Sequence, residues 1–311
     1  MNDIFFSITI PAYKSLYLKE AIDSCLNQTY VNFELIIVDD NSPNDIKSIV
    51  DQFSDSRLFY YRNSNNCGAL NVVDNWNICL DKCKGDYIIC MGDDDKLLPS
   101  CLEEYYNLIK KFPECSVFHA WTEIIDEKSV PYDIQEARPL KESALSLVWH
   151  RWNSRGKQFI GDFLFKTTML KDNGGFYKLP LAWGADDITA TIAATQNGIA
   201  NTQVLCFQYR MNRSSITKSG YTDVKIKSDI ETRDWYIRYL KTYTPTNHLD
   251  ELYKSLLMNQ VYEITNIKIQ HLLMHEFENH PLRLFYWIRR KKNYGITLRV
   301  LVLALLKSFK L

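Results

Sequence analysis

The chain has 311 residues, of which 46% are hydrophobic and 24% charged, the values of an ordinary globular protein. Lysine and arginine number 37, and so do aspartate and glutamate, so the formal net charge is zero and argues against a nucleic-acid partner bound through bulk charge. This length allows one large α/β domain with an appendage, or two domains.

The first 120 residues alternate between apolar runs typical of strands and amphipathic runs typical of helices. The run 33–38 is continuously apolar, as expected for a strand that is covered on both faces. This alternation predicts a mostly parallel, doubly wound, Rossmann-like sheet. The predicted strands are 4–10, 33–38, 58–62, 87–91 and 117–120, and the predicted helices are 15–28, 45–53, 69–83 and 100–112.

The sequence pattern changes twice after residue 120. Residues 121–160 contain two prolines and several charges, and we predict an irregular insertion there. A strand is predicted at 160–165, a helix at 186–196 and a strand at 204–210, and from residue 223 onward the pattern is helical. We therefore predict two domains, residues 1–220 with the sheet and residues 221–311 as a helical C-terminal extension.

Eight cysteines are scattered along the chain, several of them in apolar stretches, and no secretory signal precedes them. Buried free thiols in a reducing cytosol are therefore expected. Cys79 and Cys83 are the closest pair, but no second pair completes a zinc-binding set. His271 and His275 have helical spacing without the arrangement of a zinc protease motif, which is typical of an ordinary helix face.

Three consecutive aspartates, Asp93, Asp94 and Asp95, follow the apolar run 87–91. Two unit charges about 4 Å apart repel by roughly 4 kcal/mol at an effective dielectric of about 20, so this cluster favours a bound cation. The alternative is an acidic turn that caps a helix beginning near Leu97 or Pro99.

Polar side chains also follow two other predicted strands, in "PAY" at 11–13 and in "DDNS" at 39–42. Ligands of doubly wound sheets bind beyond the carboxyl ends of the strands. Three strand ends therefore gather Tyr13 and five aspartates at one edge of the sheet. An isolated acidic turn does not explain this convergence.

Five motifs occur in an order and spacing that point to a known family. "SITIPAYK", "LNQTY", "FELIIVDDNS", "NWNICLDKCKGDYI" and "MGDDDKLLP" together resemble the family 2 glycosyltransferases with the GT-A fold, over residues 3 to about 215. "IIVDD" alone also resembles the acidic pair of a two-component receiver domain. A receiver, however, carries that pair on its first strand and does not continue to "GDDD".

The resemblance implies a nucleotide-diphosphate sugar as the donor, most simply a UDP-sugar. Pro11 and Tyr13 match the loop that cradles the nucleotide base, with the tyrosine ring available to stack on it. Asp40, with Asp39 beside it, matches the acid that accepts a hydrogen bond from uracil.

The acidic triplet overlies the family's metal motif, often written DxD. Gly92 stands where many members have the first aspartate of that motif, and Asp94 aligns with the metal-binding one. The expected metal-site residues are Asp94, Asp95 and Asp93, the last also facing the ribose or a metal-bound water. The implied cofactor is Mn²⁺ or Mg²⁺, which binds carboxylate and diphosphate oxygens together and offsets charge on the leaving diphosphate.

The family's general base is an aspartate in an acidic pair that opens a helix after the metal motif. In "WGADDITATIAATQNG", Asp186 takes the glutamate position of that pair and Asp187 the position of the base. The alternative is that both aspartates only cap the helix and favour the positive end of its dipole.

The chain departs from the family pattern after its last sheet strand. Many members have a Tyr-Arg-x-His sequence there, whereas "YRMNRSS" places Asn212 at the histidine position. Arg210 or Arg213 is expected to contact the diphosphate instead. Trp121 and Trp183 are candidates for an aromatic floor under an acceptor sugar, the alternative being partly buried core.

The expected function is inverting, metal-dependent transfer of a sugar from a UDP-sugar to a glycan or lipid-linked glycan, in bacterial-type surface polysaccharide synthesis. A sugar-nucleotidyltransferase would need a glycine-rich basic loop after the first strand, and "PAYKSLY" has no glycine. The remaining alternative is a non-catalytic sugar-nucleotide-binding protein, which has no use for a base at Asp187. A nucleic-acid role is not expected, since the basic residues cluster away from the sheet edge.

Residues 281–311 contain eight basic side chains and no acidic one, so residues 1–280 carry a net charge of −8. The longest uncharged apolar run, 300–306, is far shorter than the ~20 residues that span a bilayer. Helical spacing groups Arg299, Lys307 and Lys310, which predicts a helix lying in an anionic membrane surface. The alternative is a helix packed on the core with a solvated basic face. We therefore expect a cytoplasmic enzyme attached peripherally to the inner face of the membrane.

Overall fold

The computed structural model describes residues 3–153, 157–212 and 221–309. The chain divides into two compact units: the sheet unit, Met1–Lys178 with Ala185–Ser215, and the helical unit, Leu179–Gly184 with Ile216–Leu311. The domain boundary predicted at residue 220 falls in 213–220, outside the described residues, so that division stays a prediction.

The sheet unit is built on ten strands among its described residues, and these form one sheet. The strands are β1 (Phe6–Ala12), β2 (Phe33–Asp39), β3 (Leu58–Arg62), β4 (Tyr87–Cys90), β5 (Lys96–Leu97), β6 (Val117–Ile125), β7 (Pro131–Ile134), β8 (Lys141–Glu142), β9 (Phe163–Lys166) and β10 (Ile199–Arg210). Their order is β3-β2-β1-β4-β9-β6-β10-β5, with β7 paired to β6 and β8 paired to β10.

The first four strands of this order are parallel neighbours. The register pairs Ala12 with Asp39, so β1 and β2 end side by side. β9 then runs antiparallel between β4 and β6, which makes the other half of the sheet mixed. The predicted α/β class, with a parallel sheet built from βα alternation, is confirmed.

Helices of the sheet unit follow the amphipathic spacing of the sequence. In α1, the buried residues Leu18, Ala21, Ile22 and Cys25 recur every three or four positions. The helices of the sheet unit are α1 (Leu18–Leu26), α2 (Ile46–Val50), α3 (Val72–Lys82), α4 (Cys101–Lys111), α5 (Ala144–Trp152), α6 (Thr167–Asp172) and α7 (Ala185–Ala194). All eight cysteines are free, and seven of them are buried, as expected.

The prediction that residues 121–160 are irregular is wrong. β6 continues to Ile125, and β7, β8 and α5 all lie in this segment. Pro131 is tolerated because it is the first residue of β7, where a missing N–H costs little. α5 begins at Ser143, whose hydroxyl accepts a hydrogen bond from Ser146 N at 3.2 Å. Charged residues of this segment therefore lie on regular strands and on a helix.

The described part of the helical unit contains four α-helices, α8 (Thr222–Thr242), α9 (His248–Asn279), α10 (Arg283–Arg290) and α11 (Leu298–Ser308). Its core joins the second half of α9 to the two C-terminal helices. The fully buried members include Leu273, Trp287 and Leu301. Across the described residues, we find no helix with both the length and the apolar character needed to cross a bilayer.

Gly85 lies where the chain passes close to β1. Its N–H donates to Ser7 Oγ at 2.9 Å, and that hydroxyl donates to the buried carboxylate of Glu34 at 2.7 Å. A Cβ added at Gly85 would lie 2.5 Å from Ser7 N and 2.7 Å from Phe6 C. Because both are backbone atoms, the close approach of two main-chain segments requires glycine here.

Gly85→Ala is expected to lower the free energy of unfolding by about 3 kcal/mol, because the methyl group forces β1 and the turn before β4 apart. Gly174→Ala is the matched control. Its φ of +80° costs an alanine about 1–2 kcal/mol, but nothing lies within 4 Å of the added Cβ. Chemical denaturation of both variants measures the difference, and equal losses would contradict the steric argument.

Candidate active site

The carboxyl ends of four strands meet around the acidic loop that follows β4. Asp93 Oδ2 accepts hydrogen bonds from the backbone N–H groups of Tyr13 and Lys14, at 2.8 and 2.7 Å. Asp40 N donates to Ala12 O at 2.9 Å, and Arg210 N donates to Asp95 Oδ1 at 2.9 Å. The structure thus brings the ends of β1, β2, β4 and β10 together.

Asp39 and Asp40 hold the loops beside this edge. Asp39 is fully buried, and its carboxylate accepts from Ser42 N at 2.8 Å and from the Tyr60 hydroxyl at 2.7 Å. Asp40 Oδ1 accepts from Cys67 N and from the side-chain amide of Asn63, both at 2.9 Å. These contacts order the turns after β2 and β3, and the uracil contact stays a prediction.

Tyr13 leaves its ring accessible beside these turns. The side chain is 44% exposed, and its backbone carbonyl accepts a hydrogen bond from Asn44 Nδ2 at 3.1 Å. Pro11 lies one residue before the end of β1 and is half-buried. An exposed aromatic ring on a fixed backbone can stack on a nucleotide base.

In the acidic triplet, Asp93 and Asp95 are buried and Asp94 is half-buried. Burial, and then the charge of Asp94, raises the pKa of Asp93 to about 6. Burial and the same neighbour raise the pKa of Asp95 well above its usual range, and burial raises the pKa of Asp94. Carboxylates in this state are stabilised in the ionised form by a cation.

Two carboxylate oxygens of the triplet lie beside Gly92. A Cβ added at Gly92 would lie 2.9 Å from both Asp94 Oδ1 and Asp95 Oδ2, so the two oxygens border one small space. Among the residues that the structure describes, no group of three or more His, Cys, Asp or Glu is arranged to hold a metal. Mg²⁺ is commonly held by one or two protein carboxylates together with phosphate groups of the substrate. The two oxygens beside Gly92 match that protein contribution.

The end of β10 fixes the acidic loop. Arg210 is buried, and its guanidinium donates to Asp94 O at 2.8 Å, to Asp126 O at 3.1 Å and to Glu20 Oε2 at 2.9 Å. The amide of Asn212 donates to Asp94 Oδ2. Arg210 therefore orders this loop, its contact with a diphosphate stays a prediction, and Arg213 lies outside the described residues.

The acidic pair predicted to open a helix lies in the first turn of α7. Asp187 is buried, and its Oδ1 accepts a hydrogen bond from Arg151 Nε on α5 at 2.8 Å. Asp186 is more exposed. Burial, followed by the charges of Asp187 and Asp162, raises the pKa of Asp186 to about 7.

Tyr209 on β10 interacts electrostatically with both acidic clusters. Its pKa is raised by burial and then by the charges of Asp95, Asp94 and Asp186. The Tyr209 ring stacks on Phe159 with the ring centroids 3.6 Å apart. Carboxylates of the acidic loop and of the start of α7 therefore act on one side chain of the sheet unit.

The two tryptophans proposed as an acceptor floor have partners of their own. The indole N–H of Trp121 donates to Gln135 O at 2.9 Å. Trp183 belongs to the helical unit, where its indole N–H donates to Asp229 Oδ1 at 3.1 Å. Both side chains are half-buried, and their acceptor role stays a prediction.

Three residues near the acidic clusters had no predicted role. Arg151 was missed because its segment was predicted to be irregular, and its partner lies 36 positions away. Asn212 was recognised as a departure from the family pattern, but its bond to Asp94 was not predicted. Tyr209 is the tyrosine of the same "YRMN" motif, but its interaction with both acidic clusters was not predicted.

Known proteins resemble this chain in sequence and in fold. An uncharacterized glycosyltransferase of Rickettsia typhi is 34% identical over 125 residues, 40% of this chain and 38% of that protein. The Escherichia coli enzyme WfgD, named a UDP-Glc:alpha-D-GlcNAc-diphosphoundecaprenol beta-1,3-glucosyltransferase, is 27% identical over 244 residues, 74% of this chain and 86% of WfgD. This chain thus spans well under half of the Rickettsia protein but most of WfgD.

Staphylococcus aureus TarS, solved as residues 1–349 with UDP-GlcNAc, superposes with a TM-score of 0.66 at 15% identity, covering 99% of this chain and 89% of that one. This likeness confirms the expected GT-A fold with its helical C-terminal region. The family model described as glycosyl transferase family 2 matches residues 7–176, more than half of the chain. The chain belongs to glycosyl transferase family 2.

Proposed function

We propose that this protein transfers a sugar from a UDP-sugar to a hydroxyl of a lipid-linked glycan, with inversion, in the synthesis of a bacterial surface polysaccharide. The observation that carries the proposal is that Asp94 and Asp95 of the acidic loop and Asp186 at the start of α7 all raise the pKa of Tyr209, from which we infer that the two acidic clusters border one cleft. WfgD, whose name states a UDP-glucose donor and a lipid-diphosphate acceptor, supports this choice of substrates.

The donor is bound by the edge where β1, β2 and β4 end. Tyr13 stacks its exposed ring on the uracil, with Pro11 beside it, and Asp40 accepts a hydrogen bond from the base. Asp94 and Asp95, with Asp93 next to them, would hold Mn²⁺ or Mg²⁺ together with oxygens of the donor diphosphate. When bound, the ion supplies Lewis-acid stabilisation of the negative charge on the leaving group.

The acceptor is activated from the opposite side of the cleft. Asp187 takes the proton of the acceptor hydroxyl as that oxygen attacks the anomeric carbon, and the bond to the diphosphate breaks in the same displacement. Attack opposite the leaving group inverts the anomeric carbon. Asp186 keeps the start of α7 acidic beside the base.

Titration of UDP in the presence and absence of Mn²⁺ tests the metal site. For the parent protein we expect the affinity for UDP to rise with Mn²⁺. Asp94→Ala and Asp95→Ala each remove a negative oxygen ligand, so each is expected to weaken Mn²⁺-dependent binding about 10-fold or more, while binding without Mn²⁺ changes little.

Asp81→Ala is the matched control for these two variants, because Asp81 is exposed on α3, away from the strand ends. It should bind UDP as the parent does at every Mn²⁺ concentration. A UDP affinity that does not respond to Mn²⁺ in the parent would exclude the proposed cation site.

Asp187→Asn tests the base. Its affinity for UDP should match that of the parent, whereas transfer from UDP-glucose to a GlcNAc-diphospho-lipid should fall by roughly 10²–10⁴-fold, the range typical of general-base loss. Asp186→Asn is the neighbouring control and should lose less. Near-parent transfer by Asp187→Asn would exclude Asp187 as the base, and absent transfer by the parent with every UDP-sugar would favour a sugar-nucleotide-binding protein.

Attachment to the membrane is proposed for the two C-terminal helices. The inner face of α11 packs into the core of the helical unit through Val300, Leu301 and Ala304. For this face, the alternative of a helix packed on the core is therefore correct. Its outer face leaves Leu298, Val302, Leu306 and Phe309 between 44% and 71% exposed. The same C-terminal segment carries the exposed basic residues Arg289, Arg290, Lys292, Arg299 and Lys307, and Lys310 lies outside the described residues.

An apolar outer face with basic neighbours fits the surface of an anionic bilayer, where each lysine or arginine contributes about 1 kcal/mol. This placement would suit an enzyme whose acceptor is anchored in the cytoplasmic leaflet. Because the inner face belongs to the core, the attachment must be tested by substitutions on the outer face and not by deletion of the helices.

The double variant Val302→Asp/Leu306→Asp is expected to lose binding to phosphatidylglycerol vesicles about 10-fold or more, measured by co-sedimentation, since it puts charge on the inserting face. The control Leu249→Asp/Leu252→Asp changes two leucines that are similarly exposed on α9 and should sediment as the parent does. Equal binding by both double variants, or equal recovery of the parent with neutral phosphatidylcholine vesicles, would contradict the proposal.

A further inference from the structure

Arg151 pairs directly with the proposed base. Its Nε donates to Asp187 Oδ1 at 2.8 Å, and 32% of the Arg151 side chain is exposed, against 4% of the Asp187 side chain. A carboxylate that is so deeply buried remains ionised only if cations or hydrogen-bond donors compensate the lost solvation. Arg151 supplies a positive charge and a hydrogen bond to the same oxygen.

The groups around this pair are mostly acidic, so the positive charge of Arg151 opposes their effect on the pKa of the neighbouring carboxyl group. Burial, the charge of Asp187 and that of Asp162 raise the pKa of Asp186, and the charge of Arg151 lowers it. The charged and titratable groups at this position are Asp186 and Asp187 on α7, Arg151 on α5, Asp162 in the turn before β9, His119 on β6, 3.4 Å from Asp162, and Tyr209 on β10.

We propose that Arg151 is a positioning residue for sugar transfer, which holds the Asp187 carboxylate in one orientation, with a positive charge beside it, for the step in which Asp187 takes the acceptor proton. This inference rests on the proposed role of Asp187 as the base. It assigns a role in the reaction to α5, an element within the segment that the sequence predicted to be irregular.

The chemistry of arginine allows charge and orientation to be separated. The planar guanidinium fixes the direction in which Nε donates, whereas a lysine ammonium is a point charge on a flexible stem. Arg151→Lys keeps the charge and loses the fixed direction, and Arg151→Gln loses the charge. Titration of Asp186 therefore reports the charge at position 151, and kcat reports the orientation of the Asp187 carboxylate.

The first experiment follows the carboxyl groups by NMR, with ¹³C-labelled aspartate and Asp186→Asn for assignment, and it needs no acceptor. In the parent, Asp186 should titrate near pH 7, the value that burial and its acidic neighbours give its pKa. Arg151→Gln should raise that midpoint by about one pH unit, because a nearby cation has been removed, and Arg151→Lys should raise it less.

The second experiment measures transfer from UDP-glucose to the GlcNAc-diphospho-lipid as a function of pH. Arg151→Gln should lower kcat by about 10- to 100-fold, the cost of a misplaced catalytic group, with little change in the KM for UDP-glucose. The acidic limb of its kcat profile should move to higher pH, because Asp186 is ionised less readily once the charge of Arg151 is removed. Arg151→Lys should restore most of the limb position but not the full kcat.

Arg57→Gln is the matched control, since Arg57 forms an Arg–Asp pair with Asp55, at 2.7 Å, in the loop before β3. It should leave the pH profile unchanged, whatever it does to stability. Adding Arg151→Gln to Asp187→Asn should cause no further loss of kcat, because the group that Arg151 positions is already gone.

The outcomes separate the two proposals. If Asp187→Asn transfers sugar at the parent rate, the proposed base is wrong and the role of Arg151 falls with it. If Asp187→Asn is inactive but Arg151→Gln keeps the parent kcat, acidic limb and Asp186 midpoint, only the role of Arg151 is overturned.

Discussion

The burial of three adjacent carboxylates at the end of β4 is the constraint on which the rest of the site depends. Solvent cannot stabilise their charge, so the chain surrounds them with donors from other strand ends. Main-chain N–H groups after β1 contact Asp93, and the end of β10 contacts Asp94 and Asp95 through Arg210 and Asn212. These donors compensate part of the solvation that the carboxylates lose on burial.

The same requirement explains why Arg210 is buried. A guanidinium placed among carbonyl and carboxylate oxygens compensates part of the negative charge of the loop, and it lies over the Tyr17 ring at 4.1 Å from its centroid. The acidic triplet is therefore coupled to α1, through Glu20, and to the turn after β6, through Asp126. The position of the acidic triplet therefore depends on contacts from several elements along this edge of the sheet.

Local sequence predicted those features that depend on local spacing. The apolar periodicity of residues 4–112 predicted the parallel strands β1 to β4 and the helices between them. The order of these elements then placed the aspartates at the carboxyl ends of neighbouring strands. The antiparallel insertion of β9 and the helix α5 were missed, because strand partners and the packing of a short helix are decided by contacts distant in sequence. The Arg151–Asp187 pair, between two helices, is of this kind.

The contact between Asp93 and the loop after β1 has a consequence for how donor preference can change. Asp93 binds the main-chain N–H groups of Tyr13 and Lys14 and not their side chains. Residue 13 can therefore be exchanged, by mutation or by selection, without disturbing the acidic loop, provided that it does not become proline, which has no N–H to donate. Lys14 differs, because its charge also lowers the pKa of Asp93 and of Asp94. The side chain proposed to meet the nucleotide base is thus separable from the groups that stabilise the acidic loop, so base recognition could change while the loop is retained.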